Sequence, residues 1–308
     1  MKKALLVRFG GLGDLLVALP SIQLIRGKYP EARLTLACRR EYGALLQETG
    51  VVDEIVAEDS RLLTPLFSGK PEAKAALPGW LGSFDLIMGW AHGRTGPIYF
   101  IEADPEEPGQ LSRSFFRKTA EILGESSALS IDDWARLPVG RLRKAGALKR
   151  TEAGEEKTPR IVVHPGSGSE SKRWPLSNFL QIINRLGEHS IAGALVTGEA
   201  EERMEAELED TALPPNWTWL RRPGLSSLAV LLSEAGLYLG NDSGITHLAA
   251  ACGGDVVALF RRDFVTAWEP LGRVHLHIAG SLDEISLDSV WKAVASRLPS
   301  FSADSQNS

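Results

Sequence analysis

Of 308 residues only two are cysteines, Cys38 and Cys252, and they stand far apart in apolar surroundings, which argues against a disulfide scaffold. No stretch approaches the roughly 18 unbroken apolar residues that span a bilayer. The opening MKKALLVRFGGLGD sets two lysines before an apolar run, but Arg8 and the glycines end that run too early for a signal peptide. These absences point to a cytoplasmic chain whose membrane contact, at most, is peripheral. Positive charge is not in surplus either: a net charge of -5 argues against general nucleic-acid binding. Arg113, Arg117 and Lys118 form a local basic patch that either meets an anionic acceptor or is a solvated helix face. Also missing are a GxxxxGK(S/T) loop, HExxH, paired CxxC, GxSxG and an Asp-x-Asp after a strand, so neither P-loop chemistry nor a carboxylate-held metal is indicated.

What is present is alternation. Ala4 to Arg8 is a short apolar strand closed by Gly10, Gly11 and Gly13. Leu15, Ala18, Leu19, Ile22 and Ile25 then recur at helical spacing, predicting a helix with one apolar face that Pro20 kinks or restarts. Arg33 to Cys38 is the next strand. Strand, glycine turn, helix and strand make a βαβ unit and hence a parallel sheet. Further strands are expected at Glu54 to Val56 and Phe84 to Met88, and a helix at Ser112 to Leu123. A charged, small-residue stretch at Gly140 to Pro159 marks a boundary between domains at 1–150 and 158–300. Beyond it the alternation resumes, from a strand at Ile161 to His164, through a charged surface helix at Glu199 to Glu209, to a closing helix at Leu287 to Leu298. The polar tail FSADSQNS reads as disordered. The expectation is an α/β protein of two Rossmann-like, doubly wound domains facing across a cleft, with ligands beyond the strand C-termini.

Three constellations sit at such strand ends. In RFGGLGD, Gly11-x-Gly13 is followed by Leu16 where a dinucleotide fingerprint has its third glycine, and Asp14 sets a carboxylate where a pyrophosphate wants amides. Asp14 is therefore either a general base on an acceptor hydroxyl or a helix cap. In IVVHPGSGSESKRWP, a small-residue loop leads to Lys172 and Arg173, which either neutralise phosphate oxygens or are ordinary surface cations. In LGNDSGITHLAAA, a strand ends at Asn241 and a helix starts whose free amides can hold an anion. His247 lies one turn into that helix, as a ligand or as a packed histidine. Asp242 is awkward beside a diphosphate unless it pairs with Lys172 or caps the helix. Trp217, Trp219 and Trp268 read as packing residues rather than stacking platforms.

Taken in order, VRFGGLGDLLVALP, HPGSGSESKRWP, and GNDSGITHLAAACGG with the following VVALF and WEPLG resemble the family 9 glycosyltransferases, which include the ADP-heptose:lipopolysaccharide heptosyltransferases. The resemblance implies a GT-B fold and an inverting transfer of heptose from ADP-heptose to a lipopolysaccharide inner-core acceptor, without a metal or other cofactor. It implies Asp14 as catalytic base and Lys172 as the lysine on the donor phosphates. It further implies a donor site from Ser167, Lys172, Asp242, Ser243, Gly244, Ile245 and His247, a ribose-holding glutamate among Glu199, Glu201 and Glu202, and the Pro223 to Leu225 turn beside the adenine. Gly10, Gly11, Gly13, Arg113 and Arg117 are the acceptor-side candidates, for a lipid-linked oligosaccharide at the inner membrane. Another nucleotide sugar or acceptor, or a silent nucleotide-sugar-binding protein, is the alternative. The chain also departs from the pattern: Gly10 and Gly11 replace serine-type residues, Arg261-Arg262-Asp263 stands where a glycine, proline and threonine turn is usual, and the stretch from Asp59 to Ser112 is compact.

Overall fold

The computed structural model describes residues 1–67, 79–90, 99–102, 109–126, 128–146 and 159–298. The chain forms two compact units, Met1–Arg141 and Leu142–Ser308. Most of the stretch expected to separate two domains, and the whole tail FSADSQNS, lie outside the described residues, as does much of the segment from Asp59 to Ser112.

Unit 1 runs β1 (Lys3–Val7), α1 (Leu12–Lys28), β2 (Arg33–Cys38), α2 (Arg40–Glu48), β3 (Glu54–Ala57), α3 (Gly79–Gly82), β4 (Leu86–Gly89), β5 (Tyr99–Phe100) and α4 (Leu111–Leu123), with α5 (Gly140–Lys144) at its end. Its five strands are parallel, in the order β3-β2-β1-β4-β5. Helix α1 differs from expectation in two ways. It runs unbroken through Pro20, and it is buried nearly all round, from Leu12 to Ile25, with α4 packed closely against it. Pro20 removes one helical hydrogen bond, a smaller loss than uncovering several side chains, each worth about 1.5–3 kcal/mol when buried.

Unit 2 runs β6 (Ile161–His164), α6 (Leu176–Glu188), β7 (Gly193–Thr197), α7 (Glu202–Glu209), β8 (Trp217–Arg221), α8 (Leu225–Glu234), β9 (Leu237–Asn241), α9 (Gly244–Ala251), β10 (Asp255–Arg261), α10 (Arg262–Trp268), β11 (Val274–Ala279) and α11 (Leu287–Ala295). Its six strands are parallel in the order β11-β10-β9-β6-β7-β8. Counted from β6 this is 6-5-4-1-2-3, the dinucleotide-fold order, and its direction reverses between β6 and β9. The central strands β6 and β9 are buried along their whole length, and apolar up to their last residues, as parallel strands covered on both faces must be. Phe179, Ile182, Ile183 and Leu186 of α6 pack with Val163, Leu195, Leu239 and Val257 of the sheet and with Val290 and Val294 of α11. Trp174 meets Phe179 edge-on at 5.1 Å and donates its indole N–H to the Ile285 carbonyl. The helix expected over Glu199 to Glu209 begins instead as a 3₁₀ turn at Glu199–Glu201, because the Glu201 carboxylate turns back to accept from the Gly198 amide at 2.8 Å. Trp217 is buried and Trp219 packs against the core, as their reading as packing residues requires.

Candidate active site

In both sheets the strand order reverses beside the first strand of the unit, and the loops leaving that point carry the residues singled out above. Parallel α/β sheets bind ligands at this place because the crossovers on either side diverge and leave a crevice. Each unit holds one such cluster.

In unit 1 the cluster is built on Arg8, the residue that follows β1. Its guanidinium donates to the Asp14 carbonyl at 2.8 Å, to Asp14 Oδ1 at 2.7 Å and to the Trp90 carbonyl beyond β4, and it lies over the Phe115 ring. Burial lowers the Arg8 pKa and the Asp14 charge partly restores it. The second carboxylate oxygen of Asp14 accepts from the Gly11 amide at 2.9 Å. Gly11 is the N-cap of α1 and Asp14 its third residue, so the aspartate does help to cap the helix. Capping does not consume it, since the side chain remains 33% exposed, against 10% for Arg8. Gly10 has φ of 110°, and a Cβ there would lie 2.7 Å from the Asp14 carboxylate, so only glycine lets the loop close over this group.

Arg113 and Arg117 fall elsewhere. They stand on the face of α4 opposite Phe115 and line a cavity of about 370 Å³ with Phe116, Ala120, Leu129 and Ile131. The structure brings Gly10, Gly11 and Asp14 together with Arg8, while Arg113 and Arg117 belong to a different surface.

In unit 2 two loops are tied across the strand ends by Asn241, the last residue of β9. Its side chain donates to the Pro165 carbonyl at 2.8 Å and accepts from the Trp174 amide at 3.1 Å. Ser167, which is buried, donates to the Asp242 carbonyl at 2.7 Å. Lys172 then pairs with Asp242, Nζ to Oδ2 2.7 Å, and its ammonium sits 4.2 Å from the centre of the Phe264 ring. The carboxylate is 7% exposed and the lysine 25%, so the pair stands at the surface of the crevice with its negative end inside. Asp242 does not cap the helix. Ser243 is the N-cap of α9, accepting from the Thr246 amide, and Ser243, Gly244 and Ile245 are partly exposed. The free amides of this helix start therefore lie beside Lys172.

His247 follows within the first turn. It is buried, with its ring edge-on to Trp268 at 6.5 Å, and among the described residues its Nε2 has no hydrogen-bond partner. Burial, with a smaller push from the Lys172 charge, lowers its pKa to about 4. The ring is therefore neutral at pH 7 and offers a ligand hydrogen bonding without charge. This has a stability consequence. Between the ordinary pKa of 6.5 and the folded value of about 4, the unfolded chain binds the proton and the folded chain does not. The stability that the neutral ring retains above pH 6.5 is thus lost as pH falls toward 4, on the order of 3 kcal/mol in all. Urea unfolding at pH 7.5 and 5 should show a steep loss for the native protein and a shallower one for His247→Gln. Equal slopes would remove His247 from the account.

The three glutamates separate. Glu201 is 4% exposed, its carboxylate 3.7 Å from His164 Nε2 and packed where a Cβ on Gly166 would be. Burial pulls its pKa up, but the hydrogen bond and charge of His164 and the Gly198 amide outweigh this and hold it below the usual value. Glu199 and Glu202 are exposed, Glu202 beside Arg222 at 3.8 Å. Leu225 opens α8, half-exposed, behind Gly224. Sequence reading singled out neither Arg8, Phe264, nor the tie made by Asn241. The only signals were an arginine directly before a glycine loop and an amide ending an apolar strand.

Residues 134–285 match the model of glycosyltransferase family 9 (heptosyltransferase). The chain is 23% identical to the lipopolysaccharide core heptosyltransferase OpsX of Haemophilus influenzae, over 84% of this chain and 79% of that protein. Among solved structures, E. coli ADP-heptose LPS heptosyltransferase II superposes with a TM-score of 0.73 at 19% identity, covering 97% of this chain and 98% of that one. E. coli heptosyltransferase WaaC with ADP gives 0.69 at 18% identity, covering 96% and 99%. The two parallel-sheet units are thus those of a GT-B fold, and over residues 134–285 the chain is similar to family 9 of the glycosyltransferases, the heptosyltransferase family.

Proposed function

We propose that this enzyme moves a heptose from ADP-heptose to a hydroxyl of the lipopolysaccharide inner core, inverting the anomeric configuration and using no metal. The observation that carries the reading is the Lys172–Asp242 pair set beside the open start of α9, at the switch point of the unit 2 sheet. An ammonium and a helix N-terminus at one strand end form a site for a diphosphate, and a departing nucleoside diphosphate needs that charge compensation. The relatives support the donor: one is named for ADP-heptose and another holds ADP.

In this reading the N-terminal domain, 1–150, receives the acceptor and the C-terminal domain, 158–300, the donor. Asp14 takes the proton of the acceptor hydroxyl as its oxygen attacks the anomeric carbon from the face opposite the leaving group. The bond from that carbon to the β-phosphate oxygen breaks, and Lys172 with the amides of Ser243 and Gly244 holds the ADP formed. Ser167, Ile245 and His247 complete the diphosphate site, and Leu225 flanks the adenine. Of the three glutamates, Glu199 and Glu202 are the ones exposed enough to reach a ribose, while Glu201 supports the loop from beneath. Gly10, Gly11 and Gly13 let the acceptor approach the backbone, and Arg113 and Arg117, on a separate surface of α4, meet anionic groups of the acceptor away from the reacting hydroxyl. A cytoplasmic nucleotide sugar and a lipid-linked acceptor place the protein in the cytoplasm, in peripheral contact with the inner membrane. Among the described residues no helix is long and apolar enough to cross a membrane. The test is calorimetric titration with ADP, UDP and GDP, and turnover with and without EDTA. Preference for ADP and an EDTA-insensitive rate are expected. A UDP or GDP preference would assign another donor, and a rate lost to EDTA and restored by a divalent cation would overturn the metal-free mechanism.

A further inference from the structure

The donor site of unit 2 is short of positive charge. Lys172 is matched by the buried Asp242 at 2.7 Å. The Arg173 guanidinium is turned to the Ser167 carbonyl, at 3.2 and 2.9 Å. His247 is neutral at pH 7, and Glu201 adds a buried carboxylate behind the loop. A diphosphate brings at least two negative charges, and the amides of one helix start supply only about half a charge of compensation.

Arg261 stands where the missing charge is needed. Residue Leu259 of β10 pairs with Asn241 at the end of β9, so Arg261 overhangs the strand end from which the diphosphate loop departs. Its guanidinium lies over the Phe264 ring at 5.3 Å from the centre, the same ring that carries the Lys172 ammonium at 4.2 Å. The two cations thus share one aromatic platform, which favours both. Among the described residues the Arg261 Nε is buried without a hydrogen-bond partner, an unsatisfied donor in a group that forms five. Its one carboxylate partner among the described residues, Asp263 at 2.8 Å, is 66% exposed, so water can solvate Asp263 once Arg261 leaves it. Asp242 has no such freedom.

We propose that Arg261 is a second diphosphate-binding cation, exchanging its exposed partner Asp263 for a phosphate oxygen of the bound nucleotide, with Phe264 holding it beside Lys172. The inference rests on the reading of unit 2 as the nucleotide-diphosphate site. It makes the Arg261-Arg262-Asp263 segment part of donor recognition.

Two variants with opposite expected signs test it, read by calorimetric titration of ADP and of adenosine. Arg261→Gln removes the cation and should weaken ADP about tenfold or more, the cost of one charge-assisted hydrogen bond, while adenosine affinity stays within about twofold. Asp263→Asn removes the competitor and should tighten ADP severalfold, again sparing adenosine. Two variants that move ADP affinity in the same direction, or that move ADP and adenosine equally, would show that the pair only holds the start of α10 and would overturn the proposal. So would no change in either. Failure of the native protein to bind ADP at all would instead overturn the donor-site reading itself.

Discussion

Replacing Asp14 with Asn is expected to lower kcat by between about 10² and 10⁴, the contribution of a positioned general base, while the dissociation constant for ADP is unchanged. The asparagine keeps an oxygen that can accept from the Gly11 amide, so the start of α1 should survive. What it removes is the negative charge facing Arg8, leaving a guanidinium with a 10%-exposed side chain paired only to carbonyls. A loss of about 2 kcal/mol in stability should accompany the loss of rate, less than for a fully buried pair because the Asp14 side chain is one-third exposed. Stopped-assay kcat, ADP titration and thermal unfolding on one preparation separate these effects. Full activity would return Asp14 to helix capping alone. Loss of ADP binding together with the rate would show that it acts on the structure of the whole protein.

Lys172→Met should act through the other substrate. It removes a cation from the diphosphate and leaves Asp242, 7% exposed, as an unpaired negative charge in the seat the phosphates would take. Both effects oppose donor binding, so ADP affinity should fall by about 10²-fold or more, and kcat should fall as well because the charge on departing ADP is less well compensated. The apoprotein should lose about 2–3 kcal/mol, since one member of a largely buried pair is left alone. Adding Asp242→Asn to Lys172→Met should recover most of that stability and part of the ADP affinity, but not the rate. If the double variant is no more stable than the single one, the two residues are not coupled, and the ion pair does not organise the loop.

The architecture was largely legible from the residues. Strands such as Ile161–His164 and Leu237–Asn241 are buried throughout and apolar up to a polar last residue, because both faces of a parallel sheet are covered. Where burial is slight the pattern is silent: α10 buries none of its seven residues and α2 only Gly43, Leu45 and Leu46, and neither was anticipated. The unbroken course of α1 through Pro20 depends on α4 packing against it, which local sequence does not contain. Within the site, Asp14, Lys172 and Asp242 stood out because charged residues on glycine-rich strand ends need a reason. Arg8 did not, since what distinguishes it is a partner far along the chain, the Trp90 carbonyl; Arg261 stood out only as a departure from the family pattern, and the Phe264 ring that it shares with the distant Lys172 is not legible in the sequence.

The measurement that bears most directly on the proposed activity is release of ADP from ADP-heptose by the purified protein, with and without a Kdo-lipid A acceptor. Release that depends on the acceptor, matched by a product of inverted anomeric configuration and slowed at least about 10²-fold in Asp14→Asn, is the predicted result. No release from substrates shown to be active with another heptosyltransferase, or release indifferent to the acceptor, would contradict heptose transfer to the inner core.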